Sequence, residues 1–370
     1  MKPLDLTLWV DALSPQLSGV GRYTWELAKG LADHPGIGRL RYYARNRLIK
    51  DPAVLLQSDQ PPPASRLFRG LQARLQKQSV AEDFWHGPNF FLPPFARRGV
   101  ITIHDLSVYR YPDTHPEARH REYATLFEAS LERASHIITV SNTVRQEVMD
   151  FLEVPPERIT TVYNGVSDRF KPHEDERLRR LLGLWGLMPK GYGLCVAAIE
   201  PRKKLIELID AWRSLPPPLR LAHPLVIAGA PGWNNDAIIS RLEQGAREGW
   251  LHNLGYVPER FLPALFAGAS LFVYPSTYEG FGLPPIEAMA SGVPVIVSNK
   301  SCLPEVAGAA ARLVDPDDHE NFRQALEECL TDEQWRKEAI DRGLQHAAGF
   351  TWRRTVDETV AVYRKALAVS

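Results

Sequence analysis

Cysteine is scarce in this chain. There are three in 370 residues, Cys195, Cys302 and Cys329, and no two form a CxxC pair. That spacing excludes a disulfide framework and a structural zinc module. No run approaches the ~18 consecutive apolar residues of a membrane-spanning helix. Asp5 and Asp11 interrupt the apolar run at the N-terminus, which spoils a secretory signal. Net charge is also missing, since 44 Lys and Arg balance 44 Asp and Glu. A dedicated nucleic-acid binder would be basic, so no nucleic-acid partner is expected. Metal-ligand clusters are lacking too. Asp315-Pro316-Asp317 mimics a metal-binding DxD but stands directly before a helical pattern, and reads as a capping turn. His115 and His120 are five apart and ill-placed for one helical face. No metal is expected. The chain reads as cytoplasmic, soluble or peripheral on the inner face of the membrane.

What is present is a large apolar fraction, 44%, over a length that suits two domains. The charge balance hides an asymmetry: residues 1–100 carry 14 Lys and Arg against 8 Asp and Glu. Most of that excess lies within 34–80, at Arg39, Arg41, Arg45, Arg47, Lys50, Arg66, Arg69, Arg74 and Lys77. An anionic partner and an ordinary solvated face fit it equally. Within it, Leu67, Phe68, Leu71 and Leu75 share one face of a helix over 65–78. Such a basic amphipathic helix suits either an anionic membrane surface or a plain protein surface, and Gly70 weakens it.

Strand-like runs alternate with amphipathic stretches, the pattern of an α/β protein with parallel sheets. Strands are expected at 4–10, 100–103, 136–140 and 159–162, with helices over 19–31 and 123–134. After a charged break at 167–190, a second series begins, with strands at 193–199, 225–228, 271–274 and 293–297. The division is placed at 1–167 and 168–350, with a final helix in 351–370. Two doubly wound domains would bind ligands at the carboxyl ends of their strands, in a cleft between them.

The densest chemistry runs from Tyr274 to Val295. A strand enters a loop with Gly280 and Gly282, then a helix from about Pro284. Glycines admit close backbone approach, and helix N-terminal amides favour an anion. Glu279 precedes the turn and Glu287 lies inside the helix, so both carboxylates can accept from hydroxyls of one ligand. A polyol attached to phosphates fits. Strand 193–199 leads into Glu200-Pro201-Arg202-Lys203-Lys204, cations placed for a diphosphate. Ser18-Gly19-Val20-Gly21 begins a helix after the first strand; alone it is no more than a tight turn. His104 ends another strand beside Asp105, where a structural and a functional role are both open.

On Glu279…Glu287 and Gly280-Phe281-Gly282-Leu283, the chain resembles the retaining glycosyltransferases of family 4, whose fold is GT-B. The resemblance extends over nearly the whole length and is most specific between 253 and 316. It implies two Rossmann-like domains facing a central cleft, a C-terminal helix crossing back to the N-terminal domain, and transfer of a hexose from a nucleotide-diphosphate sugar without a metal. Glu279 would contact the transferred sugar, and the amides of Phe281, Gly282 and Leu283 would line sugar and diphosphate. Glu287 would hold the ribose. Arg202 and Lys203 match the diphosphate clamp; an arginine that many relatives carry at the strand end is replaced by Ala197-Ala198. Gly19 matches the loop at the donor phosphate, with Ser18-Gly19 for the common Gly-Gly, so a stiffer loop is expected. His104 matches a histidine near the donor sugar. The backbone of Val257 would meet the base, and Glu259 could accept from a guanine. A GDP-linked mannose or deoxyhexose such as rhamnose is the expected donor, and a glycan or lipid-linked oligosaccharide the acceptor. UDP-, ADP- and dTDP-sugars remain alternatives, as do an epimerase and a non-catalytic sugar-nucleotide-binding protein.

Overall fold

The computed structural model describes residues 3–57, 77–115 and 117–369. The chain divides into two α/β units, Met1–Gly165 with Trp352–Ser370, and Val166–Thr351.

The first unit is built on a seven-stranded sheet in the order β3-β2-β1-β4-β5-β6-β7. Its strands are β1 Leu4–Trp9, β2 Ile37–Ala44, β3 Arg47–Ile49, β4 Phe84–Gly87, β5 Arg98–Ile103, β6 Ala134–Thr139 and β7 Ile159–Thr161. Every pairing is parallel except that of β3 with β2. The central runs are buried on both faces, as helix-covered parallel strands require. Helix Gly19–Ala32 returns from β1 and buries Tyr23, Leu27 and Leu31. The final helix, Trp352–Val369, places Val356, Val360, Tyr363 and Ala366 in the same core as Leu6, Leu8 and Leu27. The two helices meet at Gly30, where a Cβ would stand 2.5 Å from Val356 Cγ2.

Three strands here escaped the sequence reading. β2 looked only basic because Arg39 and Arg41 stand two positions apart on one face of the strand. Arg39 pairs with Asp5 at 2.8 Å and Arg41 with Asp83 at 3.0 Å, so neither is an open cation. The helix expected from Tyr123 begins at Glu117. Most of the proposed amphipathic segment 65–78 lies outside the described residues.

The second unit holds a six-stranded, all-parallel sheet in the order β10-β9-β8-β11-β12-β13. These are β8 Gly193–Val196, β9 Leu225–Ala228, β10 Leu251–Gly255, β11 Leu271–Tyr274, β12 Val295–Ser298 and β13 Arg312–Val314. Helix His319–Thr331 follows β13, but Asp318 rather than Asp315 or Asp317 is its cap, accepting from the Asn321 N–H at 3.2 Å. Asp315 closes the preceding turn and pairs with Lys300 at 2.6 Å.

Both sheets reverse their strand order once, between β1 and β4 and between β8 and β11. Loops leaving the carboxyl ends of strands on either side of such a reversal diverge and leave a crevice, where ligands of open α/β sheets bind.

A buried polar row ties the final helix to the first sheet. Tyr363 Oη lies 2.7 Å from His86 Nδ1, His86 Nε2 lies 2.8 Å from Thr102 Oγ1, and Thr102 Oγ1 lies 3.0 Å from Tyr23 Oη. Burial, helped by neighbouring His104, pushes His86 down to about 3. Below the ordinary histidine value of ~6.5 the unfolded chain takes up a proton that folded His86 refuses, so stability present at neutral pH is lost on acidification. Urea unfolding should show His86 alone removing about 2 kcal/mol between about pH 7 and about pH 5, a component absent from His86→Gln. An equal pH slope in both proteins would refute the buried, neutral histidine.

Candidate active site

In the second unit, the loops leaving β8 and β11 are sewn together at the reversal point. Pro201–Lys203 form one turn of 3-10 helix, closed by Lys204 at φ 53°. The Thr277 N–H donates to the Arg202 carbonyl at 2.9 Å. The Arg202 guanidinium donates to the Tyr278 carbonyl and to Glu200 Oε1, both at 2.8 Å. Lys203 Nζ donates to Glu279 Oε1 at 2.5 Å and reaches Tyr274 Oη at 3.4 Å. The same ammonium stands 4.0 Å from Glu200 Oε1.

This cluster is buried. Glu200, Lys203 and Glu279 are 5%, 7% and 9% exposed. Burial would raise the Glu279 carboxyl, but the charges of Lys203 and then Arg202 outweigh it and hold the group below its ordinary value. Glu279 is therefore ionised at neutral pH. Two carboxylates and two cations form a neutral group that hydrogen bonds keep in register.

The loop after β11 is fixed from the other side by Ser301. Its hydroxyl donates to the Glu279 carbonyl at 2.7 Å and accepts from the Glu279 N–H at 3.2 Å. Gly282 then takes φ 86° as the residue before helix Leu283–Ala290. A Cβ there would be strained and would stand 2.8 Å from Leu303 Cδ2. Pro284 and Pro285 have no N–H, so the first helical turn offers an anion little beyond Leu283. The backbone at this corner is thus that of Gly280, Phe281 and Gly282 with Leu283, ahead of two prolines. Glu287, half-buried, lies one turn further along.

At the edge strand β10, Val257 is buried, and Glu259 pairs with Arg169 at 3.2 Å. In the first unit, Gly19 opens helix Gly19–Ala32, and a Cβ added there would meet no other part of the chain within 4 Å. Ser18 caps that helix, accepting from the Gly21 N–H at 3.1 Å. The hydroxyl satisfies one of the orphan amides of the helix start, which a second glycine has no side chain to do.

His104 follows β5 and is buried. Its Nε2 lies 2.7 Å from the Pro88 carbonyl, which can only accept. The proton is therefore on Nε2 and Nδ1 is the acceptor. Burial holds the ring below its ordinary value against the opposing influence of Pro88 and Asp105, so it is neutral at pH 7. Asp105 accepts from the N–H and hydroxyl of Ser107, a turn-closing role.

The structure thus gathers Arg202, Lys203, Glu279, Gly280, Phe281, Gly282, Leu283 and Glu287 at one corner of the second unit. Val257 and Glu259 stand after β10 of that sheet, whereas Gly19 and His104 belong to the first unit. The sequence reading assigned no role to Glu200, Ser301 or Arg169. Glu200 stood inside a quoted motif, but its burial between two cations is a tertiary fact. Ser301 and Arg169 carried no local signal.

Two family models match the chain, "Glycosyltransferase Family 4" over residues 17–170 and "Glycosyl transferases group 1" over 188–347. O-antigen chain mannosyltransferase B of Escherichia coli is 37% identical, over 94% of this chain and 96% of its own length. The chain belongs to glycosyltransferase family 4. A second family relative, O-antigen chain mannosyltransferase RfbU of Salmonella typhimurium, is 31% identical over 63% of this chain and 61% of its own length. Two solved structures share the GT-B fold. One is WaaG, a glycosyltransferase involved in lipopolysaccharide biosynthesis, with TM-score 0.73, 17% identity and coverage of 97% of this chain and 99% of that one. The other is HepE of Anabaena, in complex with UDP and glucose, with TM-score 0.73, 16% identity and coverage of 98% and 100%. This family-4 glycosyltransferase is a hexosyltransferase, built on two parallel-sheet Rossmann-like domains.

The buried pair gives a stability test. Lys203→Met leaves the Glu279 carboxylate buried without its main partner and should cost about 3 kcal/mol in urea unfolding. Adding Glu279→Gln should recover most of that loss. A cost below about 1 kcal/mol, typical of an exposed pair, would contradict the burial described.

Proposed function

We propose that this hexosyltransferase moves mannose from GDP-mannose, with retention of configuration, to a hydroxyl of a growing lipid-linked polysaccharide. The observation that carries the reading is the 37% identity to an O-antigen chain mannosyltransferase over almost the full length of both proteins. The coarser statement, a glycosyltransferase of polysaccharide synthesis, rests on the same relatives.

In this reading the diphosphate occupies the corner where Lys203, Arg202 and the amides of Gly280–Leu283 converge. Charge grows on the leaving diphosphate in the transition state, and fixed cations with loop amides are placed to stabilise it. That is the work a metal ion would otherwise do, which supports a metal-independent reaction. Glu279, kept ionised by Lys203, accepts from hydroxyls of the transferred sugar, and Glu287 accepts from the ribose. By the family resemblance Gly19 belongs to a donor-phosphate loop and neutral His104 lies near a donor sugar, with Nδ1 as its acceptor atom. The family resemblance further implies attack on the face from which the diphosphate departs, the donor phosphate helping to take the acceptor proton. Positioning and electrostatics would supply most of the acceleration.

Glu259 pairs with Arg169, so its carboxylate meets a guanine only by sharing that partner. A UDP-sugar is the second reading, favoured by the UDP held in the HepE neighbour. The basic stretch 34–80 is proposed to meet an anionic membrane surface, through cations other than the paired Arg39 and Arg41.

Three outcomes are expected. In a thermal-shift panel with EDTA present, GDP at about a hundred times its dissociation constant should stabilise the fold by about 2.7 kcal/mol, with UDP, ADP and dTDP giving less. A shift confined to UDP would overturn the donor assignment. Lys203→Ala and Glu279→Ala should each lower transfer at least about tenfold, about 1.4 kcal/mol of transition-state stabilisation. Unchanged turnover would remove those residues from the site. Binding to anionic vesicles should fall with salt and exceed binding to neutral ones; equal binding to both would refute the membrane contact.

A further inference from the structure

A cavity of about 540 Å³ opens on the flank of the first unit, between the second half of helix Gly19–Ala32 and the start of helix Trp352–Val369. It contains none of the residues assigned to the active site. Its size falls in the ~300–1,000 Å³ range of small-molecule sites. One wall is the half-buried indole of Trp352, whose ring centroid is 6.3 Å from that of Tyr23. Tyr23 in turn packs edge-on against His104 at 4.9 Å.

The polar lining is mixed in sign. Glu26 and Lys29 form an ion pair at 3.3 Å. His34 Nδ1 accepts from the Gly36 N–H at 2.9 Å, so Nε2 carries the proton and donates to Asp357 at 3.1 Å. Asp33 and Arg353 also line the cavity, and among the described residues their side chains have no hydrogen-bond or ion-pair partner. Three carboxylates against two cations leave no strong field of either sign, which disfavours a phosphate, a nucleotide or a polyanion. Fixed carboxylates, a guanidinium and an imidazole around one aromatic face instead suit a neutral ligand with many hydroxyls and an apolar ring face.

We propose that this cavity is a second carbohydrate subsite, which holds a neutral oligosaccharide segment of the acceptor away from the reacting end. The inference rests on the polysaccharide reading above. Trp352 supplies the platform for a sugar ring, and Asp33 and Arg353 supply an acceptor and donors for its hydroxyls. The volume exceeds the needs of a single ring, so a chain segment is the expected occupant.

The test uses the full chain without donor and a linear α-linked mannotriose, followed by saturation-transfer NMR and calorimetry. Saturable binding is expected, unaffected by saturating GDP. Trp352→Ala and Arg353→Ala should each weaken it at least about fivefold. Trp352 touches Tyr23 and its loss could disturb folding; Arg353 is exposed, and a wild-type melting temperature in that variant keeps the test valid. No saturable binding overturns the proposal, as does binding that GDP displaces or that both variants retain. Binding of inorganic phosphate at this cavity in preference to the trisaccharide overturns the ligand class. Transfer from GDP-mannose is measured on the same preparation. Transfer without trisaccharide binding refutes the subsite alone, whereas absence of transfer from GDP-mannose refutes the proposed function whatever the cavity holds.

Discussion

The buried contact between Lys203 and Glu279 is the constraint on which the loops of the second unit depend. The two residues lie 76 positions apart, on loops that leave adjacent parallel strands β8 and β11. Taking either charge out of water alone would be costly, so each is tolerable only because the other is there. The pair therefore fixes the spacing of the two loops. Arg202 reinforces the arrangement by bonding the Tyr278 carbonyl, one residue before Glu279. Charges fixed in this way need no reorganisation when a further charge is brought to them. Beside this core Gly282 takes its left-handed conformation at the start of the following helix.

Local patterns made this corner readable in the sequence. Strand β11, the turn glycines and the helix after them are contiguous, so a strand–loop–helix with two carboxylates eight positions apart could be recognised without tertiary information. The same holds for β8 and the turn Pro201–Lys203. What could not be read were partners supplied from a distance. Glu200 looks like a solvated acid until the fold encloses it between Arg202 and Lys203. Ser301 matters only because β12 sits beside β11 and brings the following turn under Glu279. Glu259 illustrates the converse: it looked available to a base, yet Arg169, 90 positions earlier, already pairs with it.

The first unit was harder to read for a different reason. Its strand β2 is half-exposed, and its outward arginines hid a period-2 alternation behind an apparent charge run. β4 is only four residues long and fully buried, too short for periodicity to speak. Yet β4 carries His86, the hinge of the buried polar row that fastens the final helix to this sheet. A last helix returning to the N-terminal domain followed from the family resemblance. That its Tyr363 hydroxyl would enter a histidine–threonine–tyrosine chain did not.

One helix, Gly19–Ala32, links these features. Its N-terminus is held by the Ser18 cap, so Gly19 presents a fixed backbone edge. One turn on, Tyr23 is buried, bonds Thr102 and lays its ring against His104. Farther on, Gly30 permits close approach of the final helix, and the side chains around it form the wall of the flank cavity. The tautomer of His104 is set independently, by the Pro88 carbonyl at the end of β4. A shift of this helix along its axis would therefore move Tyr23 and the cavity together while leaving the His104 proton in place.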